Sequence, residues 1–281
     1  MAVASKHPGV FIVIEGVDGA GKTSMAQRLV EKLNQDDVFL IQHGYSGAIY
    51  VREPGSTSFG TGVRQLFLEG EHPLAPMTEA LALMAAKSQL IEEHIRPHVH
   101  RGWIVVCDRY TRTLLAYQGG LRGIPMQTLV DLLGSAGILI PPNLELFLSV
   151  TPETSAARRS SHVNAFDELA ASRAEDLRKG FRDAQKALPS YRSIEIDANG
   201  EADEVYEKIS SEVKRYLKFH RLTGLTLPEP ILSFIPEPEP VLVEPIKDSS
   251  VPQESIHESA VEQGDIASGA EPDRGLSALE A

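Results

Sequence analysis

A chain of 281 residues with 42% hydrophobic side chains has enough apolar material for one α/β domain with a sizeable buried core and requires no second one. The single cysteine, Cys107, excludes an internal disulfide and suits a reducing compartment. No stretch approaches the roughly 20 apolar residues of a membrane-spanning helix, and the N-terminus lacks the apolar block of a secretory signal; a cytoplasmic protein with neither a membrane nor a nucleic-acid partner is expected.

After a short N-terminus, expected to be flexible over 1–8, the first apolar and β-branched run is Val10 to Glu15. The same texture returns at Ile49 to Arg52, Trp103 to Cys107, Leu144 to Val150 and Ser193 to Asp197. Between these runs, Lys22 to Leu33 and Met77 to His100 carry helical spacing, and a last helix is expected over Glu201 to Phe219. Such alternation predicts βαβ crossovers, hence a five-stranded parallel sheet flanked by helices in a three-layer α/β domain over 9–225. Reactive groups then belong at the C-terminal ends of the strands.

One motif meets that rule directly. Gly16-Val17-Asp18-Gly19-Ala20-Gly21-Lys22-Thr23 fits GxxxxGK[ST], follows an expected strand and opens an expected helix, the context of a P-loop NTPase fold. Glycines let the loop curl so that backbone N–H groups converge, and the helix N-terminus adds partial positive charge where phosphate oxygens sit. Lys22 is expected on the β- and γ-phosphates of ATP, and Thr23 to offer its hydroxyl to Mg²⁺.

The composition changes near Thr226. From there to Ala281 stand twelve acidic residues against Lys247 and Arg274, a net charge of −10, together with eight prolines. Removing them from the chain's 39 acidic and 27 basic residues leaves 27 and 25, so the domain is close to neutral and the low pI belongs to the tail. Pro-Glu alternation from Pro228 to Pro240 cannot bury enough apolar surface to offset ordering entropy, and 226–281 is expected to be a disordered acidic tail. Val241, Leu242 and Val243 give it one small apolar element suited to a protein partner.

A P-loop establishes nucleotide binding alone, and the acceptor has to be argued from other residues. Phe11 to Gly19 around the loop, Arg52-Glu53-Pro54-Gly55, Asp108-Arg109-Tyr110 and Ala116-Tyr117-Gln118-Gly119 occur in one order and spacing that resembles the thymidylate kinases, from about Phe11 to Phe219. The resemblance implies transfer of the γ-phosphate of ATP to dTMP, giving dTDP and ADP in dTTP biosynthesis, with Mg²⁺ as cofactor and a homodimer as the assembly. By the same resemblance Arg52 and Arg109 hold the acceptor phosphate, Asp108 and Asp167 lie near the metal, and Asp18 lies between metal and the sugar 3′-hydroxyl. Thr113 faces the thymine edge and Tyr117 packs by the deoxyribose. Leu83 and Lys87 stand where the family carries a stacking phenylalanine and a base-reading arginine, which weakens base recognition. A lid over about 155–170 would bring Arg158 and Arg159 to the transferring phosphoryl group, with Arg173 as a further candidate. Much of that stretch is Ser160, Ser161, Asn164 and Ala165, less basic than the family pattern. Two other readings stay open: a kinase of the same fold with a changed acceptor, and a nucleotide-binding module with weak catalysis and an interaction tail.

Overall fold

Along each strand successive side chains point to opposite faces, so a run apolar at every position must be covered on both sides. In the computed structural model, which describes residues 8–69, 74–158, 165–188 and 192–223, this is what happens. Strand β1 (Val10–Gly16) sends Val10, Ile12 and Ile14 to one core and Phe11 and Val13 to the other, and all five are fully buried. Strand β3 (Trp103–Asp108) divides likewise, Ile104 and Val106 against Val105 and Cys107. Cys107 is a buried free thiol whose pKa burial pushes up, well away from reactivity.

With β2 (Gly47–Arg52), β4 (Leu144–Ser149) and β5 (Ser193–Asp197) these form one five-stranded parallel sheet in the order β2-β3-β1-β4-β5. One face is covered by α1 (Lys22–Gln35), through Met25, Ala26, Leu29 and Leu33, and by α11 (Ala202–Thr223), through Val205, Ile209, Val213 and Leu217. Their three- to four-residue spacing makes an apolar stripe, and each such side chain contributes about 1.5–3 kcal/mol on burial. The other face is covered by α4 (Pro76–Leu90) and α7 (Met126–Ser135). The expected helix from Met77 to His100 is not continuous: α4 passes into a π-helical turn, Ile91–Ile95, and then α5 (Arg96–His100). Pro97 cannot donate an amide to the ladder, which accounts for the change of pitch just before it.

The remaining elements matter for the site. Helix α2 (Asp37–Gln42) is a short turn after α1, and α3 (Ser58–Glu69) follows the β2 exit. After β3, α6 (Thr111–Leu114) runs into a second π-helical turn, Leu115–Leu121. Helices α8 (Pro152–Arg158), α9 (Ala165–Ser172) and α10 (Ala174–Ala187) occupy the crossover from β4 to β5, where the lid is expected. The chain divides into two units, Met1–Pro236 and Glu237–Ala281, and every described residue belongs to the first. The expected tail, and residues 1–7 of the N-terminal segment for which flexibility is expected over 1–8, lie outside the described residues.

Candidate active site

The parallel register brings three strand ends to one level, since Ile14 pairs with Asp108 and Asp108 with Arg52. The loop leaving β1 turns at Gly19, with φ at 80° and a backbone so close to α8 that a Cβ would stand 2.3 Å from the Ser155 carbonyl oxygen. Only glycine takes both the left-handed conformation and that approach at low cost. Ser155 in turn donates its hydroxyl to the Asp18 carbonyl at 2.7 Å, tying the loop to the start of the lid crossover. Lys22 folds back over the loop and donates to the Val17 carbonyl at 2.7 Å, with Asp18 at 3.9 Å. Burial lowers its pKa to about 8; Arg109 adds to this, and Asp18, Asp108 and Glu15 oppose it.

A second set of cations meets the loop at one hydroxyl. Thr23 accepts from Arg52 Nη2 at 3.0 Å and donates to Asp108 Oδ2. Arg52 Nε lies 3.5 Å from the same carboxylate, and the Tyr50 hydroxyl donates to it at 3.3 Å. Arg109 takes φ of 68°, a conformation that costs a non-glycine residue roughly 1–3 kcal/mol and concentrates at functional sites. Its amide is held by the Ile14 carbonyl at 3.0 Å, and its guanidinium pairs with Asp18, which also accepts the Tyr117 hydroxyl. Burial alone would raise the Asp18 pKa, but Arg109, Lys22 and the Tyr117 hydrogen bond outweigh it and hold the carboxyl well below the usual range. Tyr117 moves the other way, pushed up first by burial and then by the Asp18 charge, so its hydroxyl stays a donor.

Arg64, on α3, escaped the reading of the sequence. Its side chain and that of Arg52 both lie against Gly55, and burial followed by the charges of Arg52 and Arg109 lowers its pKa. Arg64 thus lies within electrostatic reach of both Arg52, which binds Thr23, and Arg109, which binds Asp18, an accumulation of guanidinium groups that calls for a polyanion. No local motif announces Arg64, because only the return of α3 over the end of β2 brings it there. Asp108 adds an acceptor: its Oδ1 is buried and has no hydrogen-bond partner. A carboxylate that accepts the Thr23 hydroxyl on one oxygen and keeps the other unpaired fits a hard divalent cation such as Mg²⁺, which takes few protein oxygens and completes its shell with phosphate and water. Among the described residues no group of three or more His, Cys, Asp or Glu side chains is placed to hold a metal by itself.

The expected base pocket is more occupied. Buried Glu15 accepts the amides of Tyr110 and Thr113, at 3.0 and 3.1 Å, and the Thr113 hydroxyl as well. Thr113 is thereby oriented, and its hydroxyl proton is committed to Glu15. Leu83 is half-buried and packs on the core beneath α4. Lys87 is fully buried, with its ammonium 2.7 Å from Glu53 Oε2 and 3.3 Å from the centre of the Tyr110 ring. Behind them Gln118 and Arg122 both bind Glu79, at 2.8 and 2.7 Å, which anchors the Leu115–Leu121 turn to α4.

On the lid side the structure brings less together. Arg158 donates to the carbonyls of Ala198, Asn199 and Gly200 at 2.6, 3.2 and 2.7 Å, so it clamps the exit of β5 and does not join Arg52 at Thr23. Arg173 binds Asp176 and the Leu121 carbonyl, at 2.7 and 2.6 Å. Arg159 lies outside the described residues, and of Asp167 only the helical backbone of α9 is described.

Known proteins match the chain over this whole region. The family model for thymidylate kinase matches residues 14–209. A thymidylate kinase from Thermoanaerobacter sp. (strain X514) is 32% identical over 212 residues, which covers 74% of this chain and 99% of the relative. One from Synechococcus sp. (strain JA-2-3B'a(2-13)) is 36% identical over 208 residues, 73% and 94% of the two chains. One from Deinococcus radiodurans is 32% identical over 207 residues, 73% and 96%. A match that spans the P-loop, the arginine cluster and the lid crossover, on a five-stranded parallel sheet, makes the chain a member of the thymidylate kinase family.

Proposed function

We propose that the protein transfers the γ-phosphate of ATP to dTMP. The observation that carries this reading is the Thr23 hydroxyl, shared between the loop that cradles ATP phosphates and the Arg52 and Asp108 side chains at the ends of β2 and β3. Two phosphate sites meeting at one atom are what an in-line transfer between nucleotides requires.

In this reading the loop amides of Gly16 to Thr23 and the Lys22 ammonium hold the β- and γ-phosphates, while Arg52, Arg64 and Arg109 hold the acceptor phosphate. Thr23 and Asp108 would hold Mg²⁺, with Asp167 as a further ligand, and the ion supplies charge neutralisation to the phosphates. Asp18 keeps Arg109 in its left-handed pose and, with Tyr117, borders the deoxyribose. The acceptor phosphate is already an anion, so no residue has to remove a proton and positioning carries the catalysis. Arg159 is the lid cation we place at the transferring phosphoryl group; Arg158 would first have to give up three carbonyls.

Among the described residues no helix is long and apolar enough to cross a membrane. We place the reaction in the cytoplasm, in keeping with one buried thiol. A homodimer fits the apolar side chains exposed on α3 and α4, namely Phe59, Leu66, Met77 and Leu81, at 52, 60, 38 and 49%. A second reading, a kinase of this fold with another preferred acceptor, is favoured by Leu83 and by the engagement of Lys87 with Glu53. Release of ADP, measured without acceptor and then with dTMP, dUMP, dCMP and thymidine, tests both. The first reading expects the highest kcat/KM with dTMP, and a rate independent of every acceptor would sink it.

A further inference from the structure

We infer that Lys87 is a positioning residue: it holds Glu53, and through Glu53 the adjoining Arg52, so that no cation from α4 reads the acceptor's base. The inference rests on the dTMP kinase reading above and goes beyond it. It begins with geometry. The Lys87 side chain is 0% and the Glu53 side chain 4% exposed, their charged atoms lie 2.7 Å apart, and the Tyr110 ring covers the ammonium at 3.3 Å. To reach a nucleotide, Lys87 would have to leave a buried carboxylate without its counter-charge, which a low-dielectric interior strongly disfavours.

Residue chemistry points the same way. A guanidinium has a planar fork of donors, so one arm can hold a carboxylate while another reaches a base; an ammonium is a point charge and commits to its nearest anion. Lysine at this position therefore separates two tasks and keeps only the carboxylate. The task kept bears on the phosphate site. The Arg52 amide donates to Ser56 Oγ at 2.7 Å and the Glu53 amide to the Asp108 carbonyl at 3.1 Å, while the Glu53 side chain is pinned by Lys87. These three ties fix the turn from which Arg52 reaches Thr23. Leu83, one helical turn before Lys87, packs on the core and would offer a base apolar contact and no hydrogen bond.

The discriminating probe is the pyrimidine 4-position, a carbonyl in dTMP and dUMP and an amino group in dCMP, since a cation favours only the carbonyl. Full-length wild type, Lys87→Met, Lys87→Arg and the double variant Lys87→Met/Glu53→Gln are compared for kcat and KM with all three acceptors. Lys87→Met is expected to lose at least tenfold in kcat with the dTMP to dCMP ratio of kcat/KM and the KM for ATP both unchanged. The double variant leaves no unpaired charge and is expected to recover at least half of that loss on a logarithmic scale, with the same ratio; it also carries the test if Lys87→Met does not fold. Lys87→Arg, which regains a second donor arm, is expected to raise the ratio at least fivefold. A ratio lowered tenfold in Lys87→Met or in the double variant overturns the proposal, and so does an unchanged kcat in Lys87→Met. Absence of dTMP kinase activity in wild type sinks the functional reading and this proposal with it; an active wild type with a lowered ratio in the variants sinks this proposal alone.

Discussion

Asp18 and Lys22 stand four residues apart in the same loop, and both feel Arg109. Replacing Arg109 with methionine removes the cation paired with Asp18, which in the proposed reaction would leave that carboxylate facing bound phosphates with less compensation. A loss of about a thousandfold in kcat is expected from an arginine that neutralises phosphoryl charge, checked by steady-state kinetics beside a direct ATP titration that should change far less. Lys22 makes a prediction about pH. Its pKa is lowered to about 8 by burial and then by Arg109, and phosphate binding favours the charged form, so charge and affinity are retained below that value and lost above it. Nucleotide affinity of the free enzyme is expected to be flat below pH 7 and to fall about tenfold per unit once the amine is neutral. Equilibrium titration with ATP from pH 6 to 9.5 measures this, and a flat curve would exclude Lys22 as the titrating phosphate ligand.

At the scale of elements, the crossover from β4 to β5 touches the turn that carries Tyr117, which we assign to the acceptor, through a contact between two backbones. A Cβ at Gly180 on α10 would stand 2.6 Å from the Ala116 carbonyl oxygen and 3.1 Å from the Gly120 Cα, both on the Leu115–Leu121 turn that carries Tyr117. Beside it Tyr117, Leu121, Leu177 and Phe181 form a small core of their own, and Val17 of the P-loop packs on it. Buried Arg112 adds a second tie, reaching the Phe181 carbonyl, Gln185 and Glu145 at 3.2, 3.0 and 2.9 Å. Gly180→Ala is expected to force these elements apart at a cost of about 1–3 kcal/mol, which lowers Tm by roughly 2–4 °C per kcal/mol. Because Tyr117 moves with the turn, the KM for dTMP should rise while that for ATP holds. Calorimetry and acceptor kinetics together check this, and a stability loss with both KM values unchanged would deny the coupling.

For the whole molecule, the charge asymmetry separates a near-neutral catalytic unit from an acidic tail. Ending the chain after residue 225 is expected to leave kcat, both KM values and Tm within about twofold or 2 °C of the full chain, since a composition so rich in Pro and Glu favours little apolar burial and hence little contribution to folding. A lost rate would assign the tail a part in turnover. The assembly is tested at the exposed helices: Leu66→Glu with Leu81→Glu is expected to shift sedimentation from dimer to monomer, because two buried carboxylates per subunit oppose association. A wild type that sediments as a monomer would refute the dimer.

The fold class was legible in residue order because its causes are local or periodic. Val10 to Ile14 and Trp103 to Cys107 are short runs apolar at consecutive positions, which a strand covered on both faces requires, and Gly16 to Thr23 sits where a strand must turn into a helix. Pairings between distant segments were not legible. Arg64 joins Arg52 only because α3 folds back over the end of β2, Arg158 finds its carbonyls only because β5 ends beside α8, and Lys87 meets Glu53 across 34 positions. Spacing along the chain determined which residue types were available at each strand end. Which charge neutralises which was decided by tertiary structure, because a buried ion takes the nearest counter-charge that packing brings to it.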